Sequence, residues 1–112
     1  MTTYEYFRGK VGYELSPETV YSMLVDRGLS ASIELANITA VDRELLYADL
    51  LVYGATIMNG RVKRGAFESS VDNKSAKEYL SIANGIYKKH YDEKYNSELE
   101  ENLKWIEYEN EV

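Results

Sequence analysis

The chain is 112 residues long, 45% hydrophobic and 29% charged, the make-up of one ordinary globular domain. It has no cysteine and a single histidine, which excludes disulfides, thiol nucleophiles and cysteine-ligated zinc, and leaves no metal or cofactor to expect. The net charge of −6 sits entirely in residues 92–112, where Asp92, Glu93, Glu98, Glu100, Glu101, Glu107, Glu109 and Glu111 face only Lys94 and Lys104.

A neutral body with an acidic end lacks the excess of Lys and Arg that attracts phosphates, so no direct sequence-specific nucleic-acid binding is expected. Met1-Thr2-Thr3-Tyr4-Glu5 carries neither the basic nor the apolar region of a signal peptide, so secretion by that route is not expected either. Residues 3–12 hold Tyr4, Tyr6, Phe7 and Val11 and read as a short helix packed by its aromatics. Ser16-Pro17-Glu18-Thr19 opens a second helix with an N-cap, a proline at the first helical position and an acid in the first turn. That helix places Val20, Tyr21, Leu24 and Val25 on one face and ends at Gly28, which takes a left-handed cap without steric cost. Residues 29–38 form another short helix or an ordered connection.

Thr39 or Asp42 caps the main helix, which continues to Met58 with Gly60 just past its end. From Leu45 to Met58 only Asp49 and Thr56 are plainly polar. Fourteen residues span about 21 Å, short of a bilayer's roughly 30 Å, so this is a buried helix and not a membrane span. A helix apolar on every side must be surrounded, either by its own chain or by neighbouring subunits. Residues 60–73 are a polar loop with a basic tip, and residues 60–70 allow a small β-hairpin. Ala76, Tyr79, Leu80, Ala83, Ile86, Tyr87 and Tyr91 then mark an amphipathic helix over about 74–95. Ser97 and Glu100 have capping-box spacing for a last, acidic helix with Leu99, Leu103 and Ile106 on one stripe.

Chemistry is sparse. Gly60 and Gly65 have phosphate-loop spacing, but Ala66-Phe67 replaces the lysine and hydroxyl that hold phosphates and Mg²⁺. His90 lacks a second ligand or nucleophile and suits a surface or helix-end role. Asp49 is a costly carboxylate in an apolar helix and needs a partner: Arg27, Arg43 or a backbone amide. The competing reading, a general acid or base of raised pKa, lacks a second acid or a nucleophile at suitable spacing. Gly54 marks a close helix crossing. Leu24, Gly28 and Ile33 imitate a helix-turn-helix, yet Ser30 to Thr39 contains no Lys or Arg to reach DNA. Among the tyrosines, Tyr79, Tyr87 and Tyr91 belong to the core face, whereas Tyr95, Trp105 and Tyr108 are candidates for subunit contact.

Ala48-Asp49-Leu50, Tyr53-Gly54-Ala55-Thr56 and, after a glycine-bearing loop, Ile82-Ala83-Asn84-Gly85-Ile86-Tyr87-Lys88-Lys89 resemble small helical proteins encoded in prophages of gut bacteria. Those proteins are similar in turn to the head–tail connector (adaptor) proteins of tailed phages. The resemblance covers roughly residues 17–92 and implies a ring-forming, non-enzymatic subunit between portal and tail, with no catalytic residue to carry over. Its partners would be further copies of itself and neighbouring phage structural proteins, with no membrane. Its location would be the bacterial cytoplasm during assembly and then the virion.

The expected fold is all-α: a compact bundle of four or five helices around the central helix at about 40–59, with a core domain over 1–95 and an acidic helix or tail over 96–112. The expected function is that of an oligomeric connector subunit. Its candidate assembly interface is Arg61, Lys63, Arg64 and Phe67 on the loop, with Tyr95, Trp105 and Tyr108 near the acidic end. Asp49 is its structural buried polar residue. The alternative is a small bacterial adaptor or regulator that binds a protein partner through the acidic segment.

Overall fold

The computed structural model describes residues 1–62 and 69–98, which form four α-helices with no strand among them. The chain is all-α. Helix α1 (Thr3–Arg8) is capped by the Thr2 hydroxyl, which accepts from the Glu5 amide at 3.1 Å. It is shorter than expected, because the chain leaves the helix at Gly9. Helix α2 (Pro17–Asp26) begins with Ser16 accepting from the Thr19 amide and Pro17 in the first turn. It ends in a left-handed Gly28 (φ 78°), where the Leu29 amide reaches back to the Leu24 carbonyl at 2.9 Å.

Residues 29–38 form a connection whose only helical piece is a 3-10 turn, Leu35–Asn37. No recognition helix follows Gly28, which removes the helix-turn-helix reading. The long helix α3 (Ala40–Val62) is capped by Thr39, whose hydroxyl accepts from the Asp42 amide at 3.1 Å. It runs through Gly60 rather than ending before it, since one glycine costs a helix only about 1 kcal/mol. Helix α4 (Ser69–Lys89) starts and stops earlier than its apolar pattern suggests. Arg61 and Val62, expected in a hairpin, belong to α3, and the remainder of that hairpin lies outside the described residues. Ser97 and Glu98 are helical where the last helix was expected to open, and its continuation also lies outside.

Helix α3 divides the core. Leu46 and Leu50 pack with Phe7, Leu15, Val20, Leu24 and Ile38 from α1, α2 and their connections. Leu45, Ala48 and Leu51 pack on the other side against Ala83 and Tyr87 of α4. Over 45–51 the helix is therefore covered by its own chain, and over residues 40–57 its exposed large apolar residues are Val41 and Tyr53. On α2 the buried pair is Val20 and Leu24, while Tyr21 and Val25, expected on the same face, are 44% and 57% exposed.

Gly54 admits an aromatic ring onto α3 and also sits at its close approach to α4, where a Cβ would lie 3.1 Å from Cε2 of Tyr79. A Cβ there would lie 2.5 Å from Cε1 of Tyr13, whose ring lies flush on the α3 backbone and whose hydroxyl donates to the Leu50 carbonyl. Tyr53 and Tyr79 flank that ring, with centroids 6.2 and 6.3 Å away.

Candidate functional site

The end of α4 sets up the site. Tyr91 adopts the left-handed conformation (φ 55°), the Asp92 amide reaches back to the Tyr87 carbonyl at 2.9 Å, and the chain reverses. Tyr91 consequently leaves the core face it was expected to share and is 96% exposed, a correction forced by the helix ending two residues earlier. The reversal brings Asp92 and Lys94 back over the middle of α3. The cap of α2 brings Arg27 to the same place from the opposite side.

These groups converge on Asp49, which is 4% exposed. Arg27 grips it with two bonds, Nε to Oδ2 at 2.8 Å and Nη2 to Oδ1 at 2.7 Å. The Tyr87 hydroxyl donates to Oδ1 at 2.7 Å and Lys94 Nζ at 3.1 Å. The remaining Nη1 of Arg27 donates to Asp92 Oδ1 at 2.7 Å, and Asp92 Oδ2 accepts from the Lys94 amide at 3.1 Å. Of the three partners open to Asp49 from the sequence, Arg27 makes the contact; Arg43 instead donates from Nε to the Ile38 carbonyl.

Beyond the cation expected for Asp49, a second acid and a second cation, Asp92 and Lys94, thus also converge beside the central helix. Their electrostatics decide what they can do. Two carboxylates face two cations, so the cluster is neutral. Burial pushes the Asp49 carboxyl up, but hydrogen bonds from Arg27, Tyr87 and Lys94 outweigh it and hold the group below its ordinary range. Burial likewise raises Asp92, and the bonds from Arg27 and the Lys94 amide bring it below that range. The Asp49 bond holds Arg27 above its already high value. Burial and then the bond to Asp49 raise the Tyr87 hydroxyl. Every shift moves a group away from neutrality, the reverse of the tuning a general acid or base needs. The net is built to hold three parts of the chain together.

Two further links fasten the segment after α4. Asn84 donates from Nδ2 to the Asn96 carbonyl at 3.0 Å and accepts from the Asn96 amide at 2.9 Å, so a side-chain amide pairs with a backbone as a strand would. Near the start of α3, Glu44 accepts from Lys89 Nζ at 3.2 Å and contacts His90 Nε2, so His90 joins the C-terminal end of α4 to α3. The bonds from His90 and then Lys89 hold the Glu44 carboxyl low.

A cleft of about 560 Å³ opens beside the cluster, with Met23, Val52, Tyr53 and Leu80 as its apolar walls and Asp49 and Lys94 at its polar end. Among the candidate interface residues, Tyr95 is half-buried against the α3–α4 core, its ring 5.8 Å from Lys88 Nζ. Arg61 belongs to the end of α3, and Lys63, Arg64, Phe67, Trp105 and Tyr108 lie outside the described residues. The sequence carried no signal that Asp92 and Lys94 reach Asp49: they fell in the helix expected over about 74–95 and in the acidic segment, whereas α4 ends at Lys89. Among the described residues no group of His, Asp or Glu side chains is placed to hold a metal ion, and no helix is long and apolar enough to cross a membrane.

No family model matches the chain, and no curated protein or solved structure matches it either.

Proposed function

We propose that the protein is a non-enzymatic assembly subunit of the phage head–tail connector kind, working as a homo-oligomeric ring between other structural proteins. The observation that carries this reading is the closed charge net around Asp49, in which every ionic group is consumed in fixing one helix to another. A ring subunit has to present rigid, unlike patches that meet head to tail. The exposed Tyr21 and Val25 on α2, one helical turn apart, suit one such contact. The opposite charges of Arg61, Lys63 and Arg64 and of the segment from Glu98 to Glu111 suit another and would orient the approach. Assembly would take place in the bacterial cytoplasm, with the ring then carried in the virion.

A second reading has its own support. Residues 45–51 of α3 are covered within a single chain, as in a self-sufficient monomer that binds one partner through its acidic end. Sedimentation and light scattering separate the two. The connector reading expects discrete high-order species in low salt that weaken when Arg61, Lys63 and Arg64 are all changed to Glu. A stable monomer at high concentration overturns it in favour of the adaptor.

A further inference from the structure

We propose that the outward face of α4 is the contact for a second copy of this chain, packed antiparallel about a two-fold axis with Ile82 of each copy over Gly85 of the other. Along α4, Glu78, Ile82, Gly85 and Lys89 recur at spacings of four, three and four and so share one face. All four are exposed, and they lie opposite the side on which Ala83 and Tyr87 pack against α3. Ile82 is 48% exposed, and a Cβ added at Gly85 would meet nothing within 4 Å.

A glycine inside a helix costs about 1 kcal/mol against alanine. Gly54 offsets that cost by admitting the Tyr13 ring, whereas nothing in the chain itself uses the gap at Gly85. Such a gap lets another molecule approach the backbone closely, and an exposed isoleucine is of a size to fill it. Register and charge select a second copy as that molecule. With the axis between residues 83 and 84, each Ile82 lies level with the other copy's Gly85, and each Glu78 with the other copy's Lys89. One register thus seats both apolar side chains and joins both pairs of opposite charges. A parallel pair would set Glu78 against Glu78 and Lys89 against Lys89. Glu78 has no ion-pair partner among the described residues. Lys89 bonds Glu44 of its own chain at 3.2 Å, yet its side chain is 64% exposed and has further donors to offer. The contact closes on itself, so it differs from the head-to-tail contacts of a ring and is independent of them.

Sedimentation equilibrium of the full chain carrying R61E/K63E/R64E separates this contact from the loop charges assigned to the ring. In that background the chain should show a monomer–dimer equilibrium. Gly85→Leu should weaken the dimer about tenfold or more while the urea midpoint holds or rises, since the new side chain has open space in its own copy. In low salt E78K and K89E should each weaken it about tenfold. An equal mixture of those two variants should restore it, because every contact between positions 78 and 89 of the mixed pair again joins opposite charges. A monomer at the highest soluble concentration overturns the proposal, and so does a dimer indifferent to Gly85→Leu or a mixture no tighter than its parts. Each result is read in the loop variant, so the connector reading, tested in the parent chain, holds or fails separately.

Discussion

Changing Asp49 to Ala removes four of the hydrogen bonds in the charge net at once: two from Arg27, one from Tyr87 and one from Lys94. Lys94 is 46% exposed and recovers water, so its loss counts for little. The Arg27 side chain is 14% exposed and keeps only Asp92, and the Tyr87 hydroxyl keeps no partner from the net. Breaking one partner out of a buried ionic pair costs about 3–5 kcal/mol. Against the ~5–15 kcal/mol stability of a small domain, that is about a fifth of the total or more. At a urea slope of ~2 kcal/mol per M, the midpoint of the helical signal at 222 nm should fall by about 2 M. Asp49→Asn, which can still accept from Tyr87, should lose less. In a cycle with Arg27→Met, the double variant should be more stable than the sum of the singles predicts, by roughly 2 kcal/mol, because the second change removes a cation already stranded by the first. A loss below ~1 kcal/mol for Asp49→Ala, the value of a surface pair, or strict additivity in the cycle, would refute the claim that the net is a buried clamp.

Three more outcomes follow from local geometry. Tyr91→Gly should stabilise the protein by about 1 kcal/mol in the same urea titration, because a left-handed, almost fully exposed tyrosine gives up conformational strain and no packing. Gly54→Ala should cost about 1–3 kcal/mol and change the near-ultraviolet dichroism of the tyrosines, since the methyl group displaces the Tyr13 ring. Alkali should unfold the chain steeply. The Tyr87 hydroxyl is raised in the folded state, so its contribution is intact below the unfolded value near pH 10 and falls by about 1.4 kcal/mol per pH unit above it. Tyr13 is raised in the same direction by burial and its neighbouring tyrosines. Tyr87→Phe should flatten the decline between pH 10 and 12 measured by thermal melts.

What the sequence disclosed was local. Ser16-Pro17, Gly28 and Thr39 act through bonds to residues three to five away, and the structure uses each of them. The end of α3 was hidden because Gly60 is only a weak stop, which costs a helix about 1 kcal/mol, and α3 runs through it to Val62. The face of α2 was half legible: Val20 and Leu24 lie one turn apart, as do Tyr21 and Val25, but the two pairs are rotated by about 100° and α3 covers only the first. A carboxylate in the apolar run announced that Asp49 needs a cation, and Arg27 was among those in view. Asp92 and Lys94 were invisible, since only the reversal at Tyr91 carries them to α3, and a tyrosine in that conformation leaves no mark in the sequence.

The bond from Arg27 to Asp92 joins positions 65 residues apart. The α3–α4 pair and the capped turn of α2 are nearer-neighbour structures, able to form early, whereas this tie can close only when both ends of the chain's course have been laid down. It therefore belongs to the late side of the folding barrier. Loosening it by Asp92→Asn should quicken the escape from the native state several-fold and leave the rate of reaching it nearly untouched, so the tie works as a brake on opening.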